Sequence, residues 1–366
     1  VKVILFANTD WYLYNYRLPL ARALRARGDE VVLLSPPGRY SELLQKDGFR
    51  WEAFPLARKG MNPLAELGTI YRLWRLLRRE KPDLLHNFTI KPVLYGSLAA
   101  RLTGLRRIVN AVPGLGIAFA EGQGLLRLIV TTLYRASLGG TSVIFQNPED
   151  QSVFVQNRLI SQEQAHLIPG SGVDVEVFRP TPEPAGEAVV MLAGRLLRSK
   201  GIPEFIAAAR QIRGEGVPAR FVIAGEPYPD NPDTIQPQEL VDWQTEGVIE
   251  NWGWHDDMVE VIAQTAIICL PTRYMEGLPR LLVEAGACGR PVVATDIPGC
   301  RMIVRDGENG LMIPAGDLPA LVKALKTLLA APALRQQMGA RGREIVEQEF
   351  SVTRVIARTL DVYNQA

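Results

Sequence analysis

The 366-residue chain is longer than one hydrophobic core usually serves, so two domains are expected. Hydrophobic residues at 47% and charged residues at 22% mark a soluble globular protein, and no unbroken apolar run reaches the roughly 18 residues of a membrane span. The net charge of +2 conceals an asymmetry: residues 1–178 carry 22 Lys and Arg against 15 Asp and Glu, residues 179–366 carry 19 against 24, and residues 58–107 alone carry 11 against 3.

Short β-rich runs alternate with helical-period stretches from the start. Residues 1–6 form the first run, with no basic leader ahead of them, so no export is expected. The following Asn8-Thr9-Asp10-Trp11-Tyr12-Leu13-Tyr14-Asn15-Tyr16-Arg17 is bulky and polar. Its Asn15 and Arg17 can hydrogen-bond a polar or anionic ligand, and the segment equally suits a helix cap. After a run at 31–34, residues 62–80 read as a basic amphipathic helix ended by Pro82. Leu64, Leu67, Tyr71, Trp74 and Leu77 fall at helical spacing, with Arg72, Arg75, Arg78 and Arg79 between them. That pattern fits an anionic membrane surface, or a crossover helix with one face on a sheet. Further runs lie at 84–85, ahead of Val112 and at 143–145, and Leu125–Leu138 is a second apolar stretch. The Pro-rich 179–187 segment reads as a linker. Runs at 189–192, 221–224, Ile267–Leu270 and 291–294 repeat the pattern. Two α/β units, each a doubly wound parallel sheet, are therefore expected at 1–178 and 179–350, with a last helix at 351–366 packing back toward the first. Two such sheets facing one another would feed one cleft from the carboxyl ends of their strands.

The most informative segment runs from Leu270 to Ala285, where an apolar strand gives way to a helix. Pro279 suits the first helical turn and leaves the amides of Gly277 and Leu278 directed at an anion. Glu276 and Glu284 can meet one extended ligand, and carboxylates accept hydrogen bonds from sugar hydroxyls. Ahead of it, Gly194-Arg195-Leu196-Leu197-Arg198-Ser199-Lys200-Gly201 also follows a strand, and its Arg195 and Lys200 can hold a diphosphate and the charge that develops as it leaves.

Together these residues resemble the retaining nucleotide-sugar glycosyltransferases of the GT-B type, specifically glycosyltransferase family 4, over nearly the whole chain. The Glu276-x7-Glu284 pair, the Gly194-Arg195 to Lys200-Gly201 element and the run from Ala285 to Thr295 carry the likeness. The resemblance implies a hexosyltransferase in which Glu276 contacts the donor sugar, Glu284 the ribose hydroxyls, and Arg195 with Lys200 the diphosphate. It places the nucleobase near Gly253 and Trp254, with Trp254 packing rather than stacking. The loop from Gly225 through Glu226 to Pro232 is similar to one in a subgroup using UDP-N-acetylhexosamines, GalNAc or GlcNAc. His86-Asn87-Phe88-Thr89-Ile90-Lys91-Pro92 matches that subgroup's His-x-x-Thr-Ile-Lys-Pro pattern. His86, Thr89 and Lys91 thus become acceptor residues, His86 alternatively satisfying local backbone groups, and beside this resemblance Asn15 and Arg17 suit the acceptor sugar or its phosphate. In Val112-Pro113-Gly114-Leu115-Gly116, the glycines Gly114 and Gly116 would let amides approach the donor, but the histidine many members place there is missing.

The subgroup's acceptors are polyprenyl-diphosphate-linked saccharides, which implies peripheral association with the inner face of the cytoplasmic membrane. No Walker motif, complete GxGxxG or Asp-x-Asp pair is present, and Cys269, Cys288 and Cys300 have no CxxC spacing. No metal or cofactor is expected beyond the UDP-sugar substrate, and no nucleic-acid module is recognisable. A UDP-sugar epimerase and a silent saccharide- or partner-binding subunit of the same architecture are the alternatives.

Overall fold

The computed structural model describes residues 1–56, 63–112, 125–229, 231–274 and 276–366. The chain divides into two compact units, residues 1–171 with 353–366, and residues 172–352. The division falls ahead of the 179–187 segment for a local reason. Val173 donates its N–H to the Phe350 carbonyl (3.0 Å) and accepts from the Val352 N–H (2.8 Å), which ties the preceding stretch to the second unit.

The first unit holds β1 (Lys2–Phe6), β2 (Glu30–Ser35), β3 (Arg50–Ala53), β4 (Leu84–Phe88), β5 (Ile108–Val112), β6 (Ser142–Phe145) and β7 (Ala165–Leu167). They form one parallel sheet in the order β3-β2-β1-β4-β5-β6-β7. Both faces of the sheet are covered. Along β1, Val3 and Leu5 join a core with Leu24 and Phe49, while Ile4 and Phe6 join another with Leu73 and Leu77. This is why such strands read as continuous apolar runs. The terminal helix Val352–Gln365 belongs to the first core through Val355, Val362 and Tyr363. It is held from the sheet side by His86 Nδ1, 2.6 Å from the Tyr363 hydroxyl, and by Arg107, which donates to the Tyr363 carbonyl at 2.6 Å.

The helix Pro63–Glu80 differs from its sequence reading in which side it buries. Leu73, Leu76 and Leu77 pack inward, each worth about 1.5–3 kcal/mol. Leu64, Leu67 and Tyr71 face solvent, at 80%, 62% and 56% exposure. At its end, burial opposes the charge on Glu80, yet hydrogen bonds from Arg50, Lys2 and Arg79 outweigh that cost and pull the carboxyl down from 4.5 to about 2. The folded value lies below the unfolded one, so this stabilisation is complete above pH 4.5 and drains away as pH falls toward 2. Replacing Glu80 by Gln is expected to cost about 2 kcal/mol at pH 7, a figure discounted for the exposed Arg50 and Arg79 partners, and less than half of that at about pH 3. Urea unfolding at the two pH values measures this, and an equal cost at both contradicts it.

The second unit holds β8 (Val189–Ala193), β9 (Arg220–Ala224), β10 (Glu250–Gly253), β11 (Ile267–Leu270), β12 (Val292–Thr295) and β13 (Gly310–Ile313). The sheet order is β10-β9-β8-β11-β12-β13, again parallel. Helices Ile202–Gly214 and Leu318–Ala330 cover one face through Phe205, Ile212, Leu325 and Leu328. Helix Arg280–Ala287 covers the other through Leu282 and Val283. Each sheet reverses its strand order once, at β1/β4 and at β8/β11. Open α/β sheets bind ligands beyond the carboxyl ends of the strands at such a reversal.

Candidate functional site

In the second unit, β8 and β11 are neighbours, so the loops leaving them lie side by side. The Ser199 carbonyl accepts hydrogen bonds from the N–H groups of Arg273 (2.7 Å) and Tyr274 (3.0 Å) and from the Thr272 hydroxyl (3.2 Å). Gly201, at φ +81, completes the seam, because a Cβ there would sit 2.0 Å from the Pro271 carbonyl oxygen. This seam brings together two residues that the sequence places 76 positions apart. The Lys200 ammonium donates to the Glu276 carboxylate, and their side chains are only 14% and 13% exposed. Lys200 also lies 5.6 Å from the centre of the Tyr274 ring.

Arg195 is exposed on the same loop, 5.9 Å from the Tyr228 ring centre. The segment carrying Glu226 and Tyr228 crosses that loop. Leu196 donates to the Glu226 carbonyl (3.1 Å), and Ser199 donates through its N–H (2.9 Å) and its hydroxyl to Asp233. Glu226 itself points to solvent. Three strand ends meet beside it: Gly225 donates to the Gly253 carbonyl at 2.7 Å, and a Cβ on Gly225 would come within 1.9 Å of the Gly194 oxygen.

Glu284 is buried at 7% exposure and accepts from Arg280 Nε at 2.6 Å. Burial pushes its carboxyl above the usual range, and the Arg280 charge and hydrogen bond work against that shift. Gly277 is buried, Leu278 is half-buried, and Pro279 stands at the helix cap rather than inside the first turn. Trp254, expected to pack, is instead 40% exposed, with its indole N–H donating to Asp256 at 3.1 Å. Gly114 and Gly116 fall outside the described residues.

The first unit gathers the other group of residues at the reversal between β1 and β4. Rare π-helical turns, Leu13–Arg17 and Pro92–Gly96, stand on the segments leaving these two strands, and such turns recur at functional sites. Asn15 donates to the Trp11 carbonyl at 3.0 Å, whereas the cap of the first helix is Thr9, whose hydroxyl accepts from the Tyr12 N–H. Arg17 is 5% exposed, donates to the Tyr12 hydroxyl at 2.9 Å and lies 4.4 Å over the Phe88 ring. His86 neither faces solvent nor satisfies backbone. It is 1% exposed, engages Tyr363, and is kept neutral by burial and then by the Arg17 charge, both of which depress its pKa. Lys91 is paired with Glu66 at 2.7 Å. Thr89 adopts φ 72, a left-handed conformation uncommon for Thr.

Buried polar side chains almost always find a partner. Among the described residues six buried side-chain atoms have none, and four of the six are Arg17 Nε, His86 Nε2, Asn87 Oδ1 and Thr89 Oγ1. Their concentration on the two segments at one strand reversal sets this place apart within the described residues, and each of the four atoms is closed to solvent. The sequence reading missed Asn87, Ser199, Asp233 and Arg280. Arg280 alone carried a signal, since it precedes Glu284 by one helical turn.

A glycosyl transferase 4-like family model matches residues 2–147, and a model of the group 1 glycosyl transferases matches residues 187–331. The chain is 25% identical to an N,N'-diacetylbacillosaminyl-diphospho-undecaprenol alpha-1,3-N-acetylgalactosaminyltransferase of Campylobacter jejuni, over 96% of each chain. It is 23% identical to a UDP-Gal:alpha-D-GlcNAc-diphosphoundecaprenol alpha-1,3-galactosyltransferase of Escherichia coli, over 87% of this chain and 84% of that one. Among solved structures, the HepE protein of Anabaena in complex with UDP superposes with a TM-score of 0.81 over 100% of both chains at 20% identity, which shows a common fold.

Proposed function

The chain is a hexosyltransferase of the family-4 type with GT-B architecture, and from that premise we propose that it moves an N-acetylhexosamine, GalNAc or GlcNAc, from a UDP-sugar to a polyprenyl-diphosphate-linked saccharide with retention of configuration. The observation that carries this reading is the Lys200–Glu276 pair seated at the β8/β11 reversal with Arg195 on the same loop. A carboxylate there can take sugar hydroxyls while the two cations take the diphosphate.

In this reading the acceptor hydroxyl attacks the anomeric carbon from the face that UDP is leaving. The new carbon–oxygen bond forms as the bond from the anomeric carbon to the β-phosphate oxygen breaks, and that oxygen receives the acceptor's proton. Arg195 and Lys200 stabilise the charge on the departing diphosphate, aided by amides near Gly277. Glu284 receives the ribose hydroxyls, and the nucleobase lies near Gly253. Because two side-chain cations already face the diphosphate, turnover is expected to persist with a chelator present. Asn15, Arg17, Thr89 and Lys91 receive the acceptor, with His86 fixing the wall behind them; their place at the β1/β4 reversal supports that assignment.

The test is a panel of UDP-sugars offered with undecaprenyl-diphosphate-linked acceptors, followed by mass analysis and NMR of the lipid product. An added N-acetylhexosamine in α linkage is the expected result. Absence of any lipid-linked product overturns the reading, and conversion of the UDP-sugar without acceptor identifies an epimerase.

Among the described residues no helix is long and apolar enough to cross a membrane. Peripheral association with an anionic membrane surface is supported by the outward Leu64, Leu67 and Tyr71 together with exposed Arg75 and Arg78 on one helix. Wild-type protein is expected to sediment with vesicles containing anionic lipid. Exchanging Leu64 and Leu67 for Glu should weaken this by about tenfold or more, two buried leucines being worth several kcal/mol. Equal sedimentation of both proteins contradicts the assignment.

A further inference from the structure

We propose that Arg280 is a positioning residue for the nucleoside: it holds the buried Glu284 carboxylate charged and oriented, and so makes the donor site selective for ribose over 2′-deoxyribose. The inference rests on the assignment of Glu284 to the ribose hydroxyls above and adds the residue that enables that carboxylate to receive them.

The two residues stand one turn apart on the helix Arg280–Ala287, which follows β11. Leu282, Val283, Ala285 and Gly286 are buried around Glu284, whose own side chain is 9% exposed. A carboxylate is costly in such a place, and an apolar side chain of similar size would fill it better if filling were all that mattered. Nor does the ion pair serve the helix. Pairs four residues apart support a helix most when the acid precedes the base, and a cation in the first turn meets the positive end of the helix dipole. Here the order is reversed, with Arg280 opening the helix and Glu284 inside it. Neither packing nor helix formation accounts for the pair.

Its geometry divides the carboxylate. Arg280 Nε donates to Oε1 at 2.6 Å, a charge-assisted bond. Oε2 accepts from no group among the described residues, and it is not one of the unpartnered atoms closed to solvent. One oxygen is thus anchored to the first turn, and the other is left to a ligand with lone pairs enough for two hydroxyls. The neighbouring 2′ and 3′ hydroxyls of ribose supply two donors, whereas 2′-deoxyribose supplies one. Burial drives the carboxyl toward its neutral form, and the Arg280 charge and hydrogen bond oppose that drift. Other charges packed against this helix are engaged elsewhere: Arg343, on the helix Pro332–Ile345, pairs with Glu347 and donates to the Ala287 and Phe178 carbonyls at the far end. Arg280 is itself 31% exposed, so it supplies its charge without losing its own hydration.

Titration calorimetry with UDP and 2′-deoxy-UDP reads the effect. The wild-type protein is expected to bind UDP at least about tenfold more tightly, since the missing hydroxyl leaves a charged acceptor unmatched. Arg280→Gln should bring the two nucleotides to within about threefold, with 2′-deoxy-UDP still bound as evidence of an intact fold. Glu284→Ala should also abolish the preference, and adding Arg280→Gln to it should change the ratio no further, as expected of a residue that acts through another. Arg280→Lys keeps a cation beside the carboxylate and should restore most of the ratio. A wild-type ratio in Arg280→Gln overturns the proposal, including the case in which both nucleotides weaken together, because that assigns Arg280 to the shared diphosphate. A Lys variant as indiscriminate as the Gln variant overturns it too. The ribose assignment fails separately: equal binding of UDP and 2′-deoxy-UDP by the wild-type protein removes Glu284 from the ribose, whereas a wild-type preference that survives Arg280→Gln defeats the role of Arg280 alone.

Discussion

Replacing Glu276 by Gln is expected to lower kcat/KM for the UDP-sugar by about 10²–10³-fold while leaving the fold intact, the size of effect seen when one preorganised hydrogen-bonding group is removed from a transition-state contact. The exchange keeps the shape of the side chain and removes its charge. Lys200 then loses its anionic partner, but as its side chain keeps 14% exposure, hydration and the Tyr274 ring limit the damage. A stability loss of about 1 kcal/mol follows from removing one side of a partly buried pair. UDP, which lacks the sugar, should bind within a few-fold of wild type. Loss of turnover with UDP binding retained is the expected pattern in steady-state kinetics and calorimetry. A Gln variant with wild-type kcat/KM removes Glu276 from the donor site.

Gly201→Ala is expected to have an effect of similar size through geometry alone. At φ +81 an added Cβ costs about 1–2 kcal/mol, and here it would also stand 2.0 Å from the Pro271 oxygen. Backbone must move, and the backbone that moves carries Lys200 on one side and the approach to Glu276 on the other. A fall in kcat/KM of about 100-fold is expected, because a displacement near 1 Å costs about that much. Gly216 supplies the control: its φ is +75, but nothing lies within 4 Å of an added Cβ. Gly216→Ala should lose only the conformational cost and retain full activity. Equal kinetic effects from the two substitutions would show that the seam between the loops does not matter.

Much of the architecture could be read from residue patterns, because strands covered on both faces write themselves as unbroken apolar runs. The runs at β1, β2, β6, β8, β9, β11 and β12 are of this kind. Those that escaped are different in character. β3 reads Arg-Trp-Glu-Ala and is half-exposed at a sheet edge, β7 is three residues long at the opposite edge, and β13 begins with a glycine. The helix Pro63–Glu80 was legible as a helix, but leucines lie on both of its sides, and the sheet beneath it chooses which are buried. The division between units also depends on tertiary bonding, that of Val173 with Phe350 and Val352.

The candidate donor residues were legible individually, since spacing and resemblance pointed to Arg195, Lys200, Glu276 and Glu284. Their mutual arrangement was not. The direct pairing of Lys200 with Glu276 arises because β8 and β11 are adjacent, a property of strand order rather than local sequence. His86 shows the same limit more sharply. Its partner Tyr363 lies 277 residues away, so nothing near position 86 could reveal that it is occupied by the terminal helix. The unpartnered atoms around Arg17 and Thr89 are likewise visible only once burial is known.

The central claim is that the diphosphate of the donor sits against Arg195 and Lys200 at the β8/β11 reversal, and titration calorimetry with UDP and with uridine tests it most directly. UDP should bind at least about 100-fold more tightly than uridine, and the double variant Arg195→Ala, Lys200→Ala should reduce UDP to the affinity of uridine, two charge-assisted contacts being worth about 3 kcal/mol or more. Equal binding of UDP and uridine by the wild-type protein, or undiminished UDP binding by the double variant, contradicts the account.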